Sequence, residues 1–167
     1  KDVRIHFSGE IKSWQTSEYS LLREVLIQII KNAIDHGIES GPSRTKQGKD
    51  PIGQIWLDFS EKNDEIIVRI RDDGAGIDLE AARRKAINLG LLTMSADPTE
   101  SETLSLLFEP GFSTRDVATE ISGRGIGLDI VRSISESLSG RAEIDTARGL
   151  GTTLTLRFPR KNRVLAA

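Results

Sequence analysis

The sequence predicts an α+β fold, a two-layer α/β sandwich in which helices cover one face of a mixed, mostly antiparallel sheet. Strand-like segments occur in neighbouring pairs that are joined by short polar turns, which is typical of hairpins. Segments with helical apolar periodicity lie between those pairs. Paired strands with inserted helices favour α+β over a strict βαβ alternation. A length of 167 residues fits one domain with its own core.

The elements follow one another in a clear order. Val3, Ile5 and Phe7 alternate as in a strand, and the segment 17–37 carries a broad apolar stripe that predicts a long helix. Gly, Pro and charged residues then predict a loop over 37–53. The remaining predictions are strands at 52–60, 65–73, 141–147 and 151–159, helices at 79–90, 101–108 and 125–139, and a long loop at 109–123 that is typical of a lid. The domain is expected to span residues 1–160, with a tail at 161–167.

Composition excludes several classes of protein. There is no cysteine, which argues against a disulfide scaffold and a thiolate metal site. The net charge of −2 offers no broad basic field for nucleic acid. The first ten residues lack the features of a signal peptide, and no apolar run is long enough to span a bilayer, so we expect a cytoplasmic location without direct membrane insertion. His6, on a predicted strand, is interpreted as structural.

Two glycine-rich segments and one helix face carry candidate chemistry. The stretch GRGIGLDIV begins with alternating glycines at the start of a helix, which suits either an anion such as phosphate or a tight packed turn. In RDDGAGID, an ionised Asp72 could accept hydrogen bonds from the amine of a flat ring, or could simply end a strand in a turn. Gln28, Asn32, Asp35 and Glu39 share a helical stripe, which is either a solvated face or a site where the Asn32 amide oxygen suits Mg²⁺.

Five segments in order carry a resemblance to a known family. In chain order, these segments are IKNAIDHGIE, DDGAGID, LFEPGFST, SGRGIGLDIV and GTTLTLRFP. They resemble the N, G1, F, G2 and G3 boxes of the ATP-binding catalytic domain of sensor histidine kinases, and they are most similar to the chemotaxis-type kinases. The resemblance covers nearly the whole chain and implies the Bergerat ATP-binding fold. It implies ATP and Mg²⁺ as cofactors.

The resemblance also assigns site residues, which remain expectations here. It implies that Asn32 binds the metal and that Asp72 reads the adenine amine. Lys31, in the matching helix segment, and Gln28, one turn before Asn32, are expected to join Asn32 in catalysis. Phe108 and Phe112 are expected to anchor the lid, and Thr152 and Thr153 to close the pocket. The further nucleotide-binding residues implied are Asp35, His36, Gly74, Gly76, Phe112, Thr114, Gly123, Arg124, Gly125, Gly127 and Thr153.

One departure bears on the chemistry. The chemotaxis-type pattern has His four residues before the Asn, whereas this chain has Gln28, which cannot act as a base near neutral pH. The chain also lacks a recognisable phosphoacceptor helix. The expected function is therefore to position Mg-ATP for phosphoryl transfer to a histidine on another domain or chain, from which a response regulator receives the phosphoryl group. Dimerisation is expected through segments outside this chain.

Two alternatives remain open at the level of sequence. One is an ATPase of the gyrase, mismatch-repair or chaperone type, which places Glu where this chain has Gln28. The other is a non-catalytic module that senses a nucleotide and switches a neighbour.

Overall fold

The computed structural model describes residues 1–14, 16–112 and 127–160. The strands in these ranges are β1 (Val3–Gly9), β2 (Gly53–Lys62), β3 (Glu65–Asp72), β4 (Arg141–Ala147) and β5 (Gly151–Pro159). The helices are α1 (Thr16–Asn32), α2 (Gly41–Lys46), α3 (Leu79–Asn88), α4 (Glu100–Ser105) and α5 (Leu128–Ser137). A π-helical turn (Ala33–Gly37) extends α1, and a 3₁₀ turn (Leu106–Phe108) extends α4.

The five strands form one sheet in the order β1-β2-β3-β5-β4. β1 runs parallel to β2 through the α1 crossover, and the other neighbours pair antiparallel. Alternate side chains point to opposite faces of a strand. On β3, Ile66, Val68 and Ile70 are buried on the face that carries the core, whereas Arg69 and Arg71 are exposed on the other face. The predicted two-layer α+β architecture is therefore confirmed.

Helix α1 covers the core face of the sheet through its apolar stripe. Leu22, Val25 and Ile29 are buried along it, as the periodicity predicts. After Asn32 the helix widens, since the amide of Ile38 donates to the carbonyl of Ala33 at 2.7 Å, a five-residue step. The widened turn interrupts the regular spacing of 3.6 residues per turn.

Because of this turn, the predicted polar stripe is wrong at its last residue, Glu39. Glu39 lies beyond the last helical residue, Gly37, and so does not continue the face that holds Gln28 and Asn32. Its carboxylate instead pairs with Arg44 and Lys49, at 3.1 and 2.9 Å.

The predicted loop over 37–53 was also only partly right, because it contains the short helix α2. Pro42 lies in its first turn, where a missing amide proton costs little. Arg44 of this helix is fully buried. Six mostly polar residues are too few for an apolar period to be recognised in the sequence.

Helices α3 and α4 follow β3 in the sequence. Asp78 caps α3 by accepting a hydrogen bond from the amide of Ala81, and Thr99 and Glu102 form a capping box at α4. A second, smaller apolar cluster contains Ala82, Ala86 and Phe112. Within the described ranges, none of the helices combines the length and apolar character that a membrane span requires.

Candidate functional site

Asp72 lies at the end of β3, on the face of the sheet that carries the core. It is 7% exposed. Its Oδ1 accepts hydrogen bonds from the amides of Gly74 at 2.8 Å and Thr152 at 3.3 Å. Among the described residues, Oδ2 has no donor. One carboxylate oxygen is therefore fixed by the backbone, and the other is available to a ligand.

The backbone around this carboxylate is lined with glycine. A Cβ at Gly74 would collide with the carbonyl of Gly37, and a Cβ at Gly151, whose φ is +102°, would collide with the carbonyl of Asp72. A Cβ at Gly37 would come within 3.5 Å of the Asp72 carboxylate. The approaches at Gly74 and Gly151 require glycine, whereas the distance at Gly37 is an ordinary van der Waals contact.

The end of α1 and the end of β3 are joined directly here. The amide of Ala75 donates to the carbonyl of Gly37 at 2.9 Å. A further link reaches the β4–β5 turn, since the amide of Gly149 donates to the carbonyl of Ala75 at 2.7 Å. Three segments that are distant along the chain therefore meet beside the end of β3.

Burial raises the pKa of the Asp72 carboxyl, because a charge is less well solvated in the interior. The two amide hydrogen bonds act in the opposite direction, and the nearby charges of Asp73 and Glu39 raise the pKa further. A buried carboxyl with a perturbed pKa is a candidate for function. Its net charge and its available oxygen suit a ligand that donates hydrogen bonds, such as an exocyclic amine.

Thr152 and Thr153 of β5 lie on opposite faces of the sheet. Thr152 donates its amide to Asp72 and lies on the core face. Thr153 pairs with Arg71 in β3 and Asp145 in β4, on the outer face. The expectation that Thr153 closes the pocket is therefore wrong, because its side chain points away from Asp72. Thr152 is the threonine that lies beside Asp72.

The end of α1 presents a pair of amides. Gln28 donates from Nε2 to Oδ1 of Asn32 at 2.9 Å, one helical turn apart. An amide oxygen has two lone pairs, so Asn32 keeps one for a further partner. Both side chains are partly exposed, while Lys31, Asp35 and His36 are exposed around them. An oxygen ligand with exposed neighbours fits Mg²⁺, which takes few protein ligands and retains water or phosphate oxygens.

The predicted lid anchors are both buried. Phe108 joins the main core, and Phe112 packs with Ala82 and Ala86, with Nζ of Lys85 5.8 Å from the centre of its ring. Gly127 is buried immediately before α5. The lid was predicted over 109–123, and most of it lies outside the described residues. So do these predicted site residues: Thr114, Gly123, Arg124 and Gly125.

Sequence reasoning missed the residues beneath Asp72. Arg44 and Lys49 hydrogen-bond to the segment that follows β3. Both residues lie in the segment 37–53, for which the sequence predicts a loop because it is rich in Gly, Pro and charged residues. A lone Arg in a six-residue helix carries no signal of burial, so the tertiary contact alone reveals them.

Comparison with known proteins decides the family. The model of the histidine kinase-, DNA gyrase B-, and HSP90-like ATPase family matches residues 18–162. The chain belongs to this family. The resemblance inferred from the five motifs, to the ATP-binding catalytic domain of histidine kinases, is confirmed, and ATP is the nucleotide that this ATPase family supports.

Relatives within the family agree with the chemotaxis type. The chain is 40% identical over 159 residues to the chemotaxis protein CheA of Cereibacter sphaeroides, covering 95% of this chain and 23% of that protein. It is 37% identical over 161 residues to CheA of Halobacterium salinarum, covering 95% of this chain and 24% of that protein. The chain therefore spans about a quarter of the length of these relatives.

A solved structure shares the fold. The catalytic domain of histidine kinase ThkA matches with a TM-score of 0.54 at 19% identity, covering 93% of this chain and 79% of that one. The expected Bergerat architecture, an open mixed sheet with helices on one face, is confirmed by this likeness.

Proposed function

We propose that this chain binds Mg-ATP and positions it for transfer of the γ-phosphoryl group to a histidine, as part of a chemotaxis-type histidine kinase. The observation that carries the proposal is the buried Asp72 carboxylate, with one oxygen fixed by backbone amides and glycines around it. A buried anionic acceptor with glycines around it is suited to the 6-amino group of adenine.

The two ends of the site have different tasks. At the Asp72 end, recognition of the base fixes the orientation of the nucleotide. At the α1 end, Asn32 would hold Mg²⁺ through its remaining lone pair, and the ion would neutralise charge on the phosphates. Gln28 keeps the Asn32 oxygen oriented through their hydrogen bond.

Transfer needs little covalent chemistry from this domain. A neutral imidazole nitrogen of the acceptor histidine attacks the γ-phosphorus, the bond to the β–γ bridging oxygen breaks, and ADP leaves. The imidazole then loses its proton to solvent. The contribution of the domain is to position the nucleotide and to stabilise charge, for which Lys31 and Arg124 are the proposed cations.

The partners proposed for this reaction lie outside the chain. They are a phosphoacceptor-histidine domain, in cis or in trans, and a response regulator that receives the phosphoryl group. A cytoplasmic location is proposed with them, and dimerisation through other segments of the protein.

Calorimetry of nucleotide binding tests the proposal. The variant Asp72→Asn should bind ATP more weakly by about 1–3 kcal/mol, because a charged acceptor is replaced by a poorly matched amide. Asp145→Asn is the matched control, since Asp145 is exposed on the outer face. The parent should prefer ATP to GTP. Equal affinity for ATP and GTP, or unchanged ATP affinity in Asp72→Asn, would overturn the assignment of Asp72.

The ATPase alternative is tested at Gln28. An amide supplies polarity without basicity, which protects the γ-phosphate from hydrolysis until the acceptor arrives. The parent should hydrolyse ATP slowly, and Gln28→Glu should raise the rate by roughly tenfold or more, at the low end of what a positioned base contributes. Steady-state phosphate release measures the rate, with affinity measured alongside. Fast hydrolysis by the parent would favour an ATPase, and parent rates in both Gln28→Glu and Gln28→Ala would remove Gln28 from the site.

A further inference from the structure

Four charged side chains form a cluster beneath the end of β3, which we call the brace: Glu39, Arg44, Lys49 and Asp73. Arg44 has a side chain only 1% exposed and pairs with Glu39 at 3.1 Å and with Asp73 at 2.7 Å. Lys49 pairs with the second oxygen of Glu39 at 2.9 Å. Two cations therefore balance two carboxylates, as burial requires.

The brace also contacts the main chain that follows Asp72. The carbonyl oxygen of Asp73 accepts hydrogen bonds from Nη1 of Arg44 at 3.2 Å and from Nζ of Lys49 at 2.9 Å. Lys49 donates as well to the carbonyl of Gly74, at 2.8 Å. The side chain of Asp73 is held from a second direction, because its Oδ1 accepts from the amide of Gln54 at 2.9 Å.

One peptide group connects the brace to Asp72. The carbonyl of Asp73 and the amide of Gly74 belong to the same planar unit, so fixing one end fixes the other. Its oxygen is held by the two cations, and its N–H donates to Oδ1 of Asp72 at 2.8 Å. Cations on the oxygen also polarise the peptide, which strengthens its N–H as a donor.

We infer that Lys49 and Arg44 are positioning residues for base recognition: through the Asp73–Gly74 peptide they hold the Asp72 carboxylate in the orientation that selects adenine over guanine. The inference rests on the proposed role of Asp72. Neither cation needs to touch the nucleotide. Their effect is transmitted by two hydrogen bonds on opposite ends of a single peptide.

A purely structural role predicts a different outcome. If the brace only stabilised the fold, its loss would weaken ATP and GTP binding alike. A positioning role weakens ATP binding selectively, because a carboxylate aimed at position 6 of the purine accepts a hydrogen bond from the amine of adenine but meets the carbonyl oxygen of guanine. The ratio of the two affinities therefore separates the two roles.

The experiment compares Lys49→Met with Lys46→Met in this chain. Lys49→Met keeps an apolar stem of similar length and removes the ammonium group, while Lys46 is exposed as the last residue of α2, three residues before Lys49. Competition binding should show ATP affinity reduced by about tenfold in Lys49→Met. GTP affinity should stay at the parent value, and Lys46→Met should match the parent for both nucleotides. Circular dichroism verifies folding, and Lys49→Gln takes the place of Lys49→Met if that variant does not fold.

Two further measurements connect the effect to Asp72. The amide resonance of Gly74 in a ¹⁵N–¹H spectrum should move in Lys49→Met and stay in place in Lys46→Met. Adding Lys49→Met to Asp72→Asn should cause little further loss of ATP affinity, because both changes act on one interaction.

The outcomes distinguish this inference from the proposed function. A parental ATP-to-GTP ratio in Lys49→Met, with a weakened Asp72→Asn, overturns the inference alone. Parental ATP affinity in Asp72→Asn overturns the role of Asp72 and the inference with it.

Discussion

Asp72 and Asp73 are neighbours in the sequence and have opposite surroundings. Asp72 is buried on the core side, and its described hydrogen bonds come from two backbone amides that both end on Oδ1. Asp73, with a side chain 29% exposed, is paired with Arg44 and with the amide of Gln54. Because successive residues at the end of a strand point in opposite directions, Asp72 lies on the core side and Asp73 belongs to the brace.

The difference shows how one residue type serves two purposes. A carboxylate neutralised by a cation contributes to the structure and has little charge left for a ligand. A carboxylate held only by neutral donors retains its charge for a ligand, at a cost in desolvation. The brace supplies the stability and the orientation that the Asp72 site lacks by itself.

The largest effect is expected from removing the central cation of the brace. Arg44→Met should lower the free energy of unfolding by about 3–5 kcal/mol, because it leaves the half-buried carboxylates of Glu39 and Asp73 without the fully buried cation that pairs with both. Denaturant titration measures the change. Arg84→Met, at an exposed position of α3, is the control and should stay within about 0.5 kcal/mol of the parent. A loss in Arg44→Met as small as that of the control would show that the ion pairs do not stabilise the fold.

A smaller change in the free energy of unfolding is expected when either Asp72 or Asp73 is replaced by Asn, and the two replacements should differ in direction. Asp73→Asn should lower the free energy of unfolding by about 1–3 kcal/mol, since it weakens a charged hydrogen bond to Arg44. Asp72→Asn should leave it unchanged or raise it at pH 7, because Oδ1 still accepts both amides and a buried charge is removed. Thermal and denaturant unfolding of both variants provide the test. Destabilisation of Asp72→Asn as severe as that of Asp73→Asn would contradict the comparison.

The smallest effect concerns pH. Burial raises the pKa of Asp72 in the folded chain, so its contribution to stability is fully present below the pKa of the unfolded chain and is lost as pH rises through the folded value. ATP affinity should change the other way and fall as pH falls through the raised pKa, because protonation removes the acceptor charge. Calorimetry at a series of pH values measures this. Asp72→Asn should lack this fall in ATP affinity at low pH. Identical pH profiles of ATP affinity in parent and variant would show that Asp72 does not cause the fall.

Sequence reasoning succeeded where a local pattern corresponds to one local structure. The apolar stripe of the segment 17–37, with Leu22 and Ile29, predicted the buried face of α1, and the strand-like segments 52–60 and 65–73 predicted the hairpin of β2 and β3. The five motifs, taken together, predicted the family that the comparisons confirm. These successes rest on periodicities and glycine positions that are properties of short segments.

What the sequence alone determined, then, is the α+β class, the order of the elements and the candidate adenine reader Asp72. Only the tertiary structure decided which β5 threonine lies beside it, because the faces of Thr152 and Thr153 depend on the pairing register with β3. Only the tertiary structure revealed Arg44 and Lys49 as buried partners of Glu39 and Asp73. The physical reason is that burial and ion pairing depend on contacts between distant segments, and a charged residue has the same local pattern in a solvated loop as beneath a binding site.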